Sequence, residues 1–408
     1  MSLRHPRLDA GLATAFRWFV WAIPLTVAWT VAGVHIAIGA AAALVLVRAA
    51  STRHCALRRT PVDSAMLALG AAYVLSTLTS ADPVASAYTL RKLLLFLVVH
   101  FVVAAADQPN RLRWCVRVFV AGIALTALVA ASGFLVEQHL VGARLRSTGH
   151  YMTFAGLLLF ATPLALVAAW NARGRWQAAY VGASAVLILS LALSFTRGAW
   201  LGVTAGLAAI VARSRPRLAL LVPLVVVLAF AAAPEAYRAR ALSSFDPHHP
   251  QNIDRLRLWR AAVDIWRDHP WTGVGLVDLK PYYVQYRHGT DGQVHGHFHN
   301  NFLQILVITG AVGFLAFIWL LVVFGRACWG AGPPGPDPES RAARRGVWGA
   351  YCGFLVMGLF EWNFGDVEVT ITLCFLVGTA LAAARVALAA PAAALPPGPA
   401  AQPGFVSR

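Results

Sequence analysis

Apolar stretches of membrane-spanning length alternate with short polar links along most of the chain, and one long polar stretch interrupts them. A helix needs roughly 20 apolar residues to cross ~30 Å of hydrocarbon. Runs that meet or approach that length predict spans near residues 14–32, 33–47, 62–80, 91–106, 114–135, 151–170, 178–195, 199–212, 218–233, 300–325, 347–363 and 367–388. The expectation is an all-α polytopic membrane protein with about twelve transmembrane helices.

The same pattern sets the organisation. Nine spans fill residues 1–233, a polar segment follows over 234–299, three more spans occupy 300–390, and a Pro/Ala-rich tail covers 391–408. The tail has the composition of a disordered segment, and GAGPPGPDPES between the tenth and eleventh spans predicts an irregular, exposed linker. Within the polar segment, Asp254 to Asp268 places Leu258, Ala261, Ala262, Ile265 and Trp266 on one side. That spacing predicts an amphipathic helix lying on the membrane, broken afterwards by Pro270, Gly273 and Gly275. A loop this long between spans is uncommon unless it is functional, so the chemistry is expected here.

Charge decides the orientation. The net charge is +17, which could signal a nucleic-acid partner, but its distribution argues otherwise. Most of the 34 basic residues and few of the 17 acidic ones fall in links on one face of the predicted bundle. This is the positive-inside asymmetry, and it predicts both termini in the cytoplasm and the 234–299 loop on the outer face. No nucleic-acid partner is expected. The five cysteines are scattered in or beside apolar runs and read as small core residues rather than a disulfide set or zinc site. No Walker or Rossmann glycine pattern is present, which disfavours nucleotide chemistry.

The polar segment ends in His295-Gly296-His297-Phe298-His299-Asn300, at the mouth of the tenth span. Imidazole at a membrane boundary has three readings: a base or orienting donor, a metal ligand, or part of a helix cap. A metal is the weakest of these, since no cysteine is near and alternation aligns the rings only on a strand. His295 is expected to be a solvated bystander, and Asn300 or Asn301 an N-cap. The outer-facing basic residues are exceptions to the charge asymmetry. Arg197 in SFTRGAW sits between two spans, and Arg146 precedes the sixth. Guanidinium groups there suit a phosphate or pyrophosphate, the alternative being snorkelling to headgroups. Arg91, Lys92, Arg257 and Arg260 read better as snorkelling or paired. Glu361 and Asp366, near the end of the eleventh span, are read either as partners or bases of the site or as a solvated turn.

Three stretches together resemble the O-antigen ligase/polymerase superfamily: RLRLWRAAVDIWRDHPWTGVGL at 255–276, HFHNNFLQILVITGAVGF at 297–314, and SFTRGAW at 194–200. The resemblance implies a GT-C-type membrane glycosyltransferase that needs neither metal nor other cofactor. Its donor would be an O-antigen glycan on undecaprenyl pyrophosphate in a bacterial inner membrane, and its acceptor a lipid A-core sugar. It further implies that Arg197, Arg255 and, less distinctively, Arg146 bind the pyrophosphate. His299 would be the essential histidine, with His297 in reserve. A polymerase, a protein O-oligosaccharyltransferase and a lipid-linked glycan flippase are the competing readings.

Overall fold

The computed structural model describes residues 6–52, 57–137, 145–147, 149–288, 293–330 and 337–389, and these residues are helical without strands. A hairpin of α1 (Pro6–Thr26) and α2 (Val31–Thr52) is followed by α3 (Asp63–Leu78). Next, α4 (Pro83–Thr89) runs through a 3-10 turn, Leu90–Phe96, into α5 (Leu97–Ala105). Helices α6 (Pro109–Glu137), α7 (Tyr151–Asn171), α8 (Arg175–Leu193), α9 (Arg197–Ser214) and α10 (Leu221–Ala231) complete the first block. The polar segment holds α11 (Glu235–Leu242), α12 (Pro250–Asp268) and α13 (Lys280–Tyr286). The second block is α14 (Asn301–Trp329), α15 (Pro338–Arg341) continuing by a π-turn into α16 (Val347–Met357), and α17 (Val367–Ala389).

The chain is a helical polytopic membrane protein. Seven helical segments are long and apolar enough to cross a membrane, the two most enclosed by protein being α7 and α17. The count of twelve is not shown by this measure. Helix α3 is apolar but short, α1 is diluted by Arg7, Asp9 and Arg17, α9 by Arg197 and Arg213, and α16 spans only 11 residues after the charged stretch Glu339 to Arg345.

Glycines on α9 and α16 hold the bundle together. A methyl group on Gly206 would lie 2.3 Å from the carbonyl oxygen of Gly349, and one on Gly202 would lie 2.7 Å from that of Gly353. Gly-xxx-Gly on α9 therefore interlocks with Gly-xxx-Gly on α16, the close backbone approach that drives helix association where lipid offers no hydrophobic contrast. The pairing fixes the N-terminus of α9 beside the C-terminus of α16, with Gly198 packed on Met357 and Phe360.

Two sequence expectations need correction. The eleventh span does not run over 347–363: its helix ends at Met357, and Gly358 to Asp366 form a turn. The helix also begins earlier, at Pro338, where the Asp337 carboxylate caps the Ser340 N–H inside the stretch read as linker. The rest of that linker, 331–336, and the tail 391–408 lie outside the described residues. The amphipathic helix exists as α12, yet Leu258, Ala261, Ala262 and Ile265 are buried by protein, against α14 and α13, rather than resting on lipid. Four cysteines are free and three of them fully buried, as core residues should be; Cys55 is outside the described residues.

Candidate functional site

The mouth of α14 is assembled by amides. Asn300 is the N-cap: its Oδ1 accepts from the N–H groups of Phe302 (2.8 Å) and Leu303 (3.0 Å), and its amide donates to the Leu359 carbonyl. Asn301 ties the same helix end to the turn after α16. Its backbone N–H donates to the Gly358 carbonyl, its Nδ2 to Asn363 Oδ1 at 2.6 Å, and its Oδ1 accepts from the Phe364 N–H. The Phe298 backbone is held on both sides, its N–H on Gln304 Oε1 and its carbonyl by the Trp259 indole of α12. The turn carrying Glu361 is thus fixed against the segment carrying the histidines.

His299 adopts φ +46, one of only two described non-glycine residues in the left-handed region; the other is Phe195, in the stretch before Arg197. Such strain costs on the order of 1–3 kcal/mol and collects at functional sites. Here it reverses the chain so that His297 and His299 face the same way without a strand, with ring centroids 4.3 Å apart. His299 Nδ1 lies 3.0 and 3.2 Å from the two Glu361 carboxylate oxygens, and His297 Nε2 lies 3.6 Å from Oε1. Burial works against ionisation of Glu361, but the hydrogen bonds from His297 and His299 prevail and hold its carboxyl down at about 2. An ionised carboxylate only accepts, so His299 Nδ1 carries a proton and its Nε2 is left as the acceptor in the neutral ring.

His295 is no solvated bystander. Its ring packs on His299 at 5.4 Å and on Tyr283, its Nε2 is buried without a hydrogen bond, and burial lowers its pKa. The neighbouring Asp366 accepts from the Thr153 hydroxyl at 2.8 Å, and burial pushes its carboxyl up to about 6. His297, His299 and Glu361 also offer three ligand atoms within 4.8 Å of one another, an arrangement that could receive a transition metal.

The arginines divide. Arg255 on α12 feels the charge of the group: burial lowers its pKa, and the Glu361 charge is the first influence opposing that. Arg197, the first residue of α9, is buried, but its guanidinium donates to Ser243 (3.0 Å), Gln251 (3.3 Å) and Asn252 (3.4 Å). The glycine interlock holds its end of α9 against the end of α16 that leads into the Glu361 turn. Arg146 is exposed, and no hydrogen bond among the described residues joins it to the other candidates; the N–H of the preceding Leu145 donates to the Leu193 carbonyl at 3.2 Å, which keeps it near the start of α9. One cation escaped the sequence reading and another was given a different role there. Arg240 donates to the same Gln251 oxygen as Arg197 (3.1 Å), and Lys92 donates to the Gly365 carbonyl (2.8 Å) instead of snorkelling away. Neither carries a local signal; only the paired glycine spacings of α9 and α16 were open to view.

Residues 182–318 match the family described as O-antigen ligase. The match runs from α8 into α14, taking in Arg197, Arg255, His297 and His299 and leaving Arg146 and Glu361 outside it. No curated protein matches the chain. All three motifs fall inside the matched residues, and the match supports their resemblance to the O-antigen ligase/polymerase superfamily.

Proposed function

We propose that the protein is an O-antigen ligase, transferring a glycan from undecaprenyl pyrophosphate to a hydroxyl of lipid A-core. In this reading twelve helical segments cross the bacterial inner membrane in a GT-C-type arrangement, with both termini cytoplasmic and the histidine end facing the periplasm. The observation that carries it is the His299–Glu361 pair. With Nδ1–H held by the carboxylate, His299 presents Nε2 to an acceptor hydroxyl as general base. The hydroxyl oxygen attacks the anomeric carbon, its proton passes to Nε2, and the glycosyl–phosphate bond breaks with its electron pair leaving on the pyrophosphate. Glu361 stabilises the imidazolium that forms. Direct displacement inverts the anomeric configuration. Arg255 beside Glu361, and Arg197 with Arg240 around Gln251, supply the positive charge that a departing pyrophosphate requires. Arg146 extends that charge at the rim.

Chemistry of this kind runs on side chains alone, although a metal at His297, His299 and Glu361 remains the second reading because three ligand atoms converge there. Incubating purified protein with lipid-linked O-antigen and lipid A-core, with and without EDTA, tests both. Capped lipopolysaccharide formed in EDTA is the expected result. Longer lipid-linked chains would make the protein a polymerase, loss of transfer in EDTA would install the metal, and no transfer at all would reopen a flippase.

A further inference from the structure

No hydrogen bond among the described residues joins the TGVGL end of the long motif to His297, His299 or Arg255, yet its backbone is held at many points. Gly273 (φ +68) and Gly310 (φ +61) face each other where α14 breaks: a methyl on Gly273 would lie 2.4 Å from the Val307 carbonyl oxygen, and one on Gly310 would lie 2.3 Å from the Trp271 carbonyl. Carbonyls and N–H groups freed by the break are taken up by the loop. Val274 N–H donates to Val307 (3.0 Å), Gly275 N–H to Ile308 (3.1 Å), and Ala311 N–H to Pro270 (2.8 Å). Ser80 donates to Val274 (3.1 Å), Thr89 to Leu276 (3.2 Å), and Leu276 N–H to Ser86 (2.9 Å). These bonds fix Val274 to Leu276, where the cavity wall begins.

That wall closes a cavity of about 340 Å³, in the lower part of the size range of small-ligand sites. Leu93, Phe96 and Ile308 form its apolar floor, while Lys92, Asp278, Gln304 and Trp362 line it with polar atoms and an indole face. Gln304 is 5% exposed, and its one side-chain bond among the described residues uses Oε1, which leaves its NH₂ group available to a ligand. An amide donor among the residues lining a cavity suits a polar ligand. The site adjoins the reacting group directly: Gly296 and Trp362 line it, next in sequence to His297 and Glu361.

We propose that this cavity is the subsite for the acceptor sugar, whose ring lies on Trp362 and whose hydroxyls bond Gln304, Lys92 and Asp278. The proposal rests on the glycosyl-transfer reading. Its direction follows from displacement chemistry: the attacking hydroxyl must approach opposite the leaving group. Arg197 stands on α9, packed against α16, whereas the cavity is built on α3, α4 and the 3-10 turn, packed against α14 and α17. The histidines lead into α14 and Glu361 follows α16, and these two helices pack on one another and join the two sides.

The test is steady-state transfer by the purified full-length protein, with lipid A-core and undecaprenyl-pyrophosphate O-antigen varied separately. Trp362→Ala and the exposed, conservative Asp278→Asn should each raise the acceptor KM, Trp362→Ala by about tenfold, the worth of one good contact, with the donor KM unchanged. An unchanged acceptor KM in both variants, or a rise in donor KM instead, overturns the subsite. No transfer by the wild-type protein overturns the underlying reading and not the subsite alone. Trp362→Phe should recover much of the acceptor affinity, which a merely misfolded turn would not.

Discussion

Two buried glutamates, one at each end of the helix bundle, show what distinguishes a site from a structural ion pair. Glu339 accepts from Arg117 Nε at 2.8 Å and from the Tyr180 hydroxyl at 3.1 Å, while the Arg117 guanidinium lies 3.9 Å from the Trp176 ring centroid. Glu361 accepts from His299 Nδ1 at 3.0 Å. Exposure and distance are alike, at 2% and 8% exposed. The partners differ. Arginine is permanently charged, so the Glu339 cluster has one protonation state and one use. Histidine has a second nitrogen that can take and release a proton near neutrality. Backbone strain makes the same division: Phe195 and His299 carry φ +49 and +46, and both lie at the Glu361 end.

The comparison can be broken most severely at His299. His299→Ala should lower the transfer rate by roughly 10²–10⁴-fold, the worth of a general base, with the thermal midpoint nearly unchanged. A large loss of stability instead would make His299 structural, like Arg117. Glu361→Gln should reduce kcat less, by about 10–10³-fold, because an amide oxygen still accepts from Nδ1–H but no longer balances the imidazolium charge. The acceptor KM should stay put; a rise confined to KM would deny Glu361 its role.

At the other end the expected signs exchange. Glu339→Ala leaves the half-buried Arg117 without its carboxylate and should cost up to about 3 kcal/mol, read as a lower unfolding midpoint, while activity per folded molecule persists. Gly206→Val on α9 forces a side chain against the Gly349 carbonyl and should cost about 1–3 kcal/mol and weaken the donor KM through Arg197. A neutral effect would show that the interlock does not position the arginine. The smallest effect is expected at Asp366. Its carboxyl is raised from 3.8 to about 6, so the folded state binds a proton the unfolded chain has already lost. That stabilisation is complete below pH 4 and is lost as pH rises through 6. Asp366→Asn should flatten this part of the stability profile, as followed by circular dichroism.

The membrane character, the loop helix and the residues His297, His299 and Arg255 were legible because apolar periodicity and short motifs are local. Asn300 as the cap was legible for the same reason. The convergence of His297 with His299 was not, since it depends on a left-handed backbone at a histidine that no alternation rule anticipates. Glu361 could be named from sequence but not placed: the span was drawn six residues too far, to 363 instead of Met357, because Leu359 and Phe360 extend the apolar run past the helix end. Lys92 was read as snorkelling because its partner, the Gly365 carbonyl, lies 273 residues away in sequence. The glycines Gly273, Gly275 and Gly310 could be seen as breakers, but their service to one another across the loop and α14 is tertiary.

The central claim is that His299, held by Glu361, removes the acceptor proton. Its most direct test is the rate of glycan transfer by purified protein from undecaprenyl-pyrophosphate O-antigen to lipid A-core in excess EDTA, followed against pH for the wild type and Glu361→Gln. The account predicts a variant rate about 10–10³-fold below the wild type's across the profile, because the imidazolium has lost its carboxylate. Coincident pH profiles of equal height would contradict it.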